Sequence, residues 1–276
     1  MSGSDVESKV NELLEKNDLK GAIEIYEDFL RKTKGGEELF EIGVNFGNLL
    51  LNAGLFEKAV KVLKEIIDKA KESLPPRSLA ILSIYLSMAL INLKRHEEAY
   101  VYLKDAERFV ESFDTELKAN FLYSKALALY GMGNNDESLD VLREVLNIYK
   151  KGKVLDAILS VYMDMANILS NSDRTKEAIE TLKKAKAVAL KTNDKANVAD
   201  VYSLIGDIYE LEEDPVKACN YFLKAVEGYI ESGFFEGAAE IVDKIETILD
   251  ELPRSSRKRV RKRLSELKER IRIRAS

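Results

Sequence analysis

Residues 199–228 read ADVYSLIGDIYELEEDPVKACNYFLKAVEG, and this stretch holds two helices and a turn. Between Ala199 and Leu211, the large apolar residues Tyr202, Ile205 and Tyr209 recur at three- and four-residue intervals with Gly206 among them. That is the spacing of one helix face. Glu212-Glu213-Asp214-Pro215 interrupts it. Proline sits well at a helix start, where its missing N–H costs nothing. Val216 to Gly228 is therefore a second helix, with Ala218, Phe222 and Ala225 facing the first. Gly206 and Ala218 are small where the two backbones cross, and the aromatic rings between them fill the remaining volume.

The same arrangement recurs upstream. Ala22, Ala59, Ala99, Ser138, Ala178 and Ala218 lie 37, 40, 39, 40 and 40 residues apart, each followed four places on by Tyr26, Leu63, Leu103, Leu142, Leu182 or Phe222. A fixed period in this range marks a solenoid, whose units bury their apolar faces against their neighbours. First helices carry matching residues: Gly43, Phe46, Gly47 and Leu50; Ser83, Leu86, Ser87 and Leu90; Tyr162, Met165, Ala166 and Leu169. The fourth copy departs, with Lys125 at an apolar place ahead of Ala126 and Leu129. The first is degenerate, with Val6, Val10, Leu13 and Leu14 on one helix and Asp18 opening the next. Beyond Gly233, Phe234 to Asp250 forms another first helix, with Ala239, Val242, Ile245 and Leu249 inward. Leu252-Pro253 ends it, and Ser255 or Ser256 is expected to cap a last helix striped by Val260, Leu264, Leu267 and Ile271. Breaks at 33–36, 73–76, 151–153 and 192–194 are too short for domain linkers. The expectation is one domain, 1–276, with units near 3–38, 39–76, 77–116, 117–155, 156–194, 195–232 and 233–276.

Tyr202, Ile205, Gly206, Tyr209, Ala218 and Phe222 resemble the tetratricopeptide pattern W-x2-L-G-x2-Y…A-x3-F, and the other units keep its logic over nearly the whole chain. The resemblance implies an all-α, right-handed superhelical solenoid of about seven helix pairs with a basic C-terminal capping helix. The period exceeds the usual ~34 residues. The surplus predicts helices longer by ~1–2 turns, closer to the long-helix variants in kinesin light chain and the mitotic-spindle adaptors.

Composition narrows the function. No apolar run approaches the ~18–20 residues of a membrane span, and MSGSDVESKV lacks the basic-then-apolar start of a secretory signal. A single cysteine, Cys219, allows no internal disulfide and suits a reducing cytoplasm. Lys and Glu are abundant and Gln is absent, a balance found in thermophiles. The only histidine, His96, falls in a turn, and Cys219 reads as a small packing residue. Metal-ligand spacings, phosphate loops and nucleophile motifs are lacking, so neither a catalytic residue nor a cofactor is expected.

Two features point to partners. By resemblance, first helices line a concave groove, and residues offset from their core stripe point into it. The candidates are Asn45, Asn48, Ile84, Met88, Tyr123, Leu127, Met163, Asn167, Asp200 and Asp207. The apolar middle, which also holds Ile81 and Ile91, fits a contact site, core packing under long helices, or self-association as a homodimer. Asparagines offer a peptide backbone both donor and acceptor, and the acidic end favours Lys or Arg in the ligand. The cationic clamp that the chaperone-tail subclass uses for a terminal carboxylate is missing from these places. Asn52, Asn92 and Asn171 are expected at first-helix ends as turn or C-cap residues.

The second feature is charge. Arg254–Ser276 carries +9, which leaves −14 on the rest of a chain whose net charge is −5. Arg257, Lys258, Arg259, Arg261, Lys262 and Arg263 crowd the start of the last helix, where the dipole disfavours cations. An anion must compensate: the protein's own acidic body, a nucleic-acid phosphate backbone, or an acidic membrane surface. The expected role is a non-enzymatic scaffold holding a protein or peptide with apolar and basic residues in its groove. The alternative is an RNA- or ribosome-associated factor anchored through the basic helix.

Overall fold

The computed structural model describes residues 3–33 and 36–275. Lys34 and Gly35, in the first of the breaks, lie outside the described residues, as do Met1, Ser2 and Ser276. All regular structure among the described residues is helical: α1 (Gly3–Glu15), α2 (Leu19–Lys32), α3 (Gly36–Asn52), α4 (Phe56–Ala70), α5 (Pro76–Asn92), α6 (His96–Ala106), α7 (Thr115–Gly131), α8 (Asn135–Gly152), α9 (Leu155–Ser170), α10 (Thr175–Thr192), α11 (Lys195–Leu211), α12 (Pro215–Ser232), α13 (Phe235–Ile248) and α14 (Arg254–Ala275). Two 3₁₀ turns follow α6 and α13. The helices group into two compact units, one running up to Val141 and the other from Leu142 on.

Most turns between paired helices reuse one device. Gly54, Lys94, Gly133, Asp173 and Glu213 each take a left-handed backbone. The N–H of the following residue then reaches back to a carbonyl of the last helical turn: Leu55 to Leu50, Arg95 to Leu90, Asn134 to Leu129, Arg174 to Leu169 and Asp214 to Tyr209, all at 2.9 Å. This closes helix ends whose carbonyls lack partners. Asn52 and Asn92 end their helices and Asn171 caps α9 with right-handed backbone; the left-handed residue of each turn falls two places after the asparagine. Only three residues separate α3 from α4, α5 from α6, and α11 from α12. The long period therefore goes into helices of 17 and 18 residues rather than into loops.

In the first unit the core runs through Tyr26, stacked on Phe46 at 4.8 Å, to Leu63, Leu82, Leu86 and Leu90. Ser138 takes the place of the recurring alanine on α8; its buried hydroxyl donates to the Ala126 carbonyl at 2.7 Å. In the second unit Phe222 lies so close over Gly206 that a Cβ there would overlap its ring. The same core continues through Val226, Ile230, Ile241 and Ile245 to Val260, Leu264 and Leu267 of α14. Helix α14 begins at Arg254, directly after Pro253, so Ser255 and Ser256 belong to its first turn and are not its cap. On α13 it is Ala238 that is buried, and Ala239 is exposed.

Candidate functional site

Helices α3, α5 and α7 pack side by side in the first unit, and their N-terminal halves enclose a cleft of about 380 Å³. Phe40 and Val44 of α3, Ile81 of α5 and Leu117 of α7 form its apolar walls. Asn45 and Asn120 offer amides, and Tyr85 adds a phenol. The ionisable rim is acidic: Glu41, Asp114 and Glu116 line the cleft, with no lysine or arginine among its lining residues. Asp114 caps α7, accepting from the Leu117 N–H at 2.8 Å, and also lines the cleft. Asn45 Nδ2 donates to Glu7 of α1, bringing another carboxylate to this edge. Burial holds the Tyr85 hydroxyl above its ordinary pKa, and the charges of Glu116 and Asp114 push the same way.

Of the sequence candidates in this unit, Asn45 lines the cleft and Asn48 is exposed one turn further along α3. Ile84 is 1% exposed and belongs to the core, not to a groove. The reason is neighbour number: α5 packs against α3, α4, α6 and α7, and a helix apolar on all sides is one that is covered on all sides. Ile81 and Ile91 are buried with it, which leaves Met88, Tyr123 and Leu127 half-buried. The wide apolar patch expected on α5 is thus mostly interior.

In the second unit, Asn167 and Asp207 share a small cleft of about 70 Å³ with Leu204 and Leu211, the latter 69% exposed. Met163 is half-buried on α9. Both acidic candidates have partners within the chain. Asp207 accepts from Lys244 Nζ of α13 at 2.6 Å, and Asp200 accepts from the Tyr229 hydroxyl of α12. Burial raises the Asp200 carboxyl above its ordinary range, against the lowering effect of that hydrogen bond. A larger hollow of about 420 Å³ involves Leu190, Val198, Tyr202 and Gly228, and most of its lining charges have partners. Lys195 pairs with Glu231 at 2.9 Å, Glu227 pairs with Arg263, and Lys224 lies over the Tyr202 and Tyr221 rings.

The basic cluster divides in two. Arg257 and Arg261 lie 3.3 and 3.5 Å from Asp250, and Arg263 bridges Glu227 and Glu266. The acidic body thus supplies part of the compensation. Lys258, Arg259 and Lys262 are exposed and have no partner among the described residues. His96 lies half-buried over Gly131. Cys219 is fully buried, and burial pushes its thiol up to about 11. No helix among the described residues is long and apolar enough to cross a membrane.

The tetratricopeptide repeat family matches residues 157–231 and again residues 120–151. Residues 120–231 carry tetratricopeptide repeats. Solved structures share the fold of this repeat protein at low sequence identity. One is a signal-transduction ATPase from Pyrococcus horikoshii with a tetratricopeptide repeat sensor: 21% identity, TM-score 0.64, covering 89% of this chain and 39% of that one. A Rap protein complexed with competence and sporulation factor is 17% identical, with TM-score 0.62 and coverage of 98% and 78%. The tetratricopeptide-like repeats of a Podosopora anserina kinesin light chain are 16% identical, with TM-score 0.57 and coverage of 71% and 95%. No curated protein matches the sequence.

Proposed function

We propose that this repeat protein is a non-enzymatic interaction scaffold whose first unit receives an extended peptide segment bearing basic and apolar side chains. The observation that carries this reading is the cleft of α3, α5 and α7, with apolar walls and carboxylates as its only charged lining groups. Apolar side chains against Phe40, Val44, Ile81 and Leu117 supply contact that survives salt. Glu41, Asp114 and Glu116 select cations and speed their encounter. The Asn45 and Asn120 amides provide donors and acceptors for a peptide backbone. A Rap protein of similar fold, solved with its factor bound, supports a ligand-receiving role. The test is fluorescence anisotropy with labelled peptides alternating Arg and Ile or Glu and Ile. The Arg series is expected to bind, and Glu41→Lys with Glu116→Lys to weaken it at least about tenfold, the scale of losing close charge pairs. Equal binding of the Glu series, or an unchanged affinity in the variant, refutes the assignment.

A second reading, contact with phosphates through α14, is favoured by the exposed Lys258, Arg259 and Lys262, which have no ion-pair partner among the described residues. It concerns a different surface and is separable by salt dependence.

A further inference from the structure

The acidic cleft calls for a ligand that alternates cations with branched apolar residues, and the chain contains one. Residues 270–274 read Arg-Ile-Arg-Ile-Arg. We propose that the cleft of one copy receives Arg270–Arg274 of a second copy, an inference that rests on reading the cleft as a peptide site. In extended form, alternate side chains point to opposite sides. Ile271 and Ile273 then meet the apolar walls while the arginines reach Glu41, Asp114 and Glu116 at the rim.

Apart from Ile271, which packs half-buried against the core of its own unit, the segment lies at the surface of its own chain. Ile273 is 64% exposed. Arg272 pairs with Glu269 of the same helix at 2.8 Å, and Arg274 makes a long 3.4 Å bond to the Ile230 carbonyl. Exposed pairs of this kind contribute little, and the last turn of a helix frays readily. The fully buried anchors of α14, Val260, Leu264 and Leu267, lie upstream, so opening the last turns gives up the half-buried packing of Ile271 against the same core while the rest of the helix stays in place. Charge acts in the same direction, since +9 on residues 254–276 faces −14 on the rest of every other copy. The contact joins unlike surfaces, so bound copies compete with any outside peptide for the cleft.

Sedimentation velocity of the full chain tests this across protein concentration at low and high salt. Association that dissolves in high salt is expected. It should be lost both in Arg272→Glu/Arg274→Glu and in Glu41→Lys/Glu116→Lys, each confirmed folded by circular dichroism. Mixing the two charge-reversed variants should restore it. A labelled peptide of residues 267–275 should bind the wild type and lose at least about tenfold affinity in the cleft variant. A wild type that stays monomeric, or reversed variants that fail to complement, overturns the proposal. If other Arg-Ile peptides still bind the cleft while the 267–275 peptide does not, only the self-recognition fails. If none binds, the peptide-site reading fails with it.

Discussion

His96 begins α6, and its ring covers Gly131 so closely that any β-carbon at that glycine would overlap it. Its Nδ1 is buried with no hydrogen-bond partner among the described residues. Burial therefore lowers its pKa below the ordinary value; nearby Lys94 adds to the lowering and Glu97 opposes it. The unfolded chain binds this proton more tightly than the folded one, so stability is complete above the unfolded pKa of about 6.5 and falls as pH drops towards the folded value. Thermal midpoints at about pH 7.5 and about pH 5.5, on either side of that unfolded value, should show the wild type losing stability on acidification. His96→Phe keeps a flat ring over Gly131 and removes the titration, so its slope across the same window should flatten. An unchanged slope would assign the effect to other groups.

At the scale of the element, the repeated turn makes the sharpest test. Lys94, Asp173 and Glu213 occupy a left-handed conformation that Gly54 and Gly133 occupy at the equivalent turns. That conformation costs an L-residue roughly 1–2 kcal/mol, offset in part by the backbone entropy glycine loses on folding. Lys94→Gly and Glu213→Gly should each raise stability by about 0.5–1 kcal/mol, read as a higher midpoint in denaturant titration at constant slope. A loss of stability would mean that the side chains hold the turn and the backbone does not. Helix positions and small crossing residues were legible in the sequence, because period and spacing depend on the chain alone. The burial of Ile84 was one of three readings left open. A sequence shows which way a residue points on its helix, but it does not show that α5 has neighbours on all sides. Likewise Asp200 and Asp207 read as free acids because their partners, Tyr229 and Lys244, lie 29 and 37 residues away. A signal was present: Asn45–Glu7, Thr175–Glu212 and Lys195–Glu231 pair across 38, 37 and 36 residues, slightly less than one repeat.

Across the whole molecule, the acidic remainder repels phosphate, so any polyanion must approach through α14. That helix cannot be tested by deletion, because Val260, Leu264 and Leu267 complete the core of the second unit and their removal would expose it. Charge reversal separates the roles. Lys258, Arg259 and Lys262 make no intrachain pair among the described residues, and carboxylates at 258 and 259 would stand four residues from Arg254 and Arg263 on the helix, a favourable spacing for opposite charges. Lys258→Glu/Arg259→Glu/Lys262→Glu should therefore leave the thermal midpoint unchanged or slightly higher. Arg263→Glu should instead lower it, since it sets a third carboxylate beside Glu227 and Glu266. If the three free cations contact a single-stranded RNA backbone, log affinity against log salt should have a slope of about −2, near −0.7 per phosphate contact. The triple variant should abolish that binding while leaving peptide binding at the cleft intact. RNA binding that survives the triple reversal would exclude α14 as the contact, and a wild type showing no such binding would leave peptide recognition as the only reading.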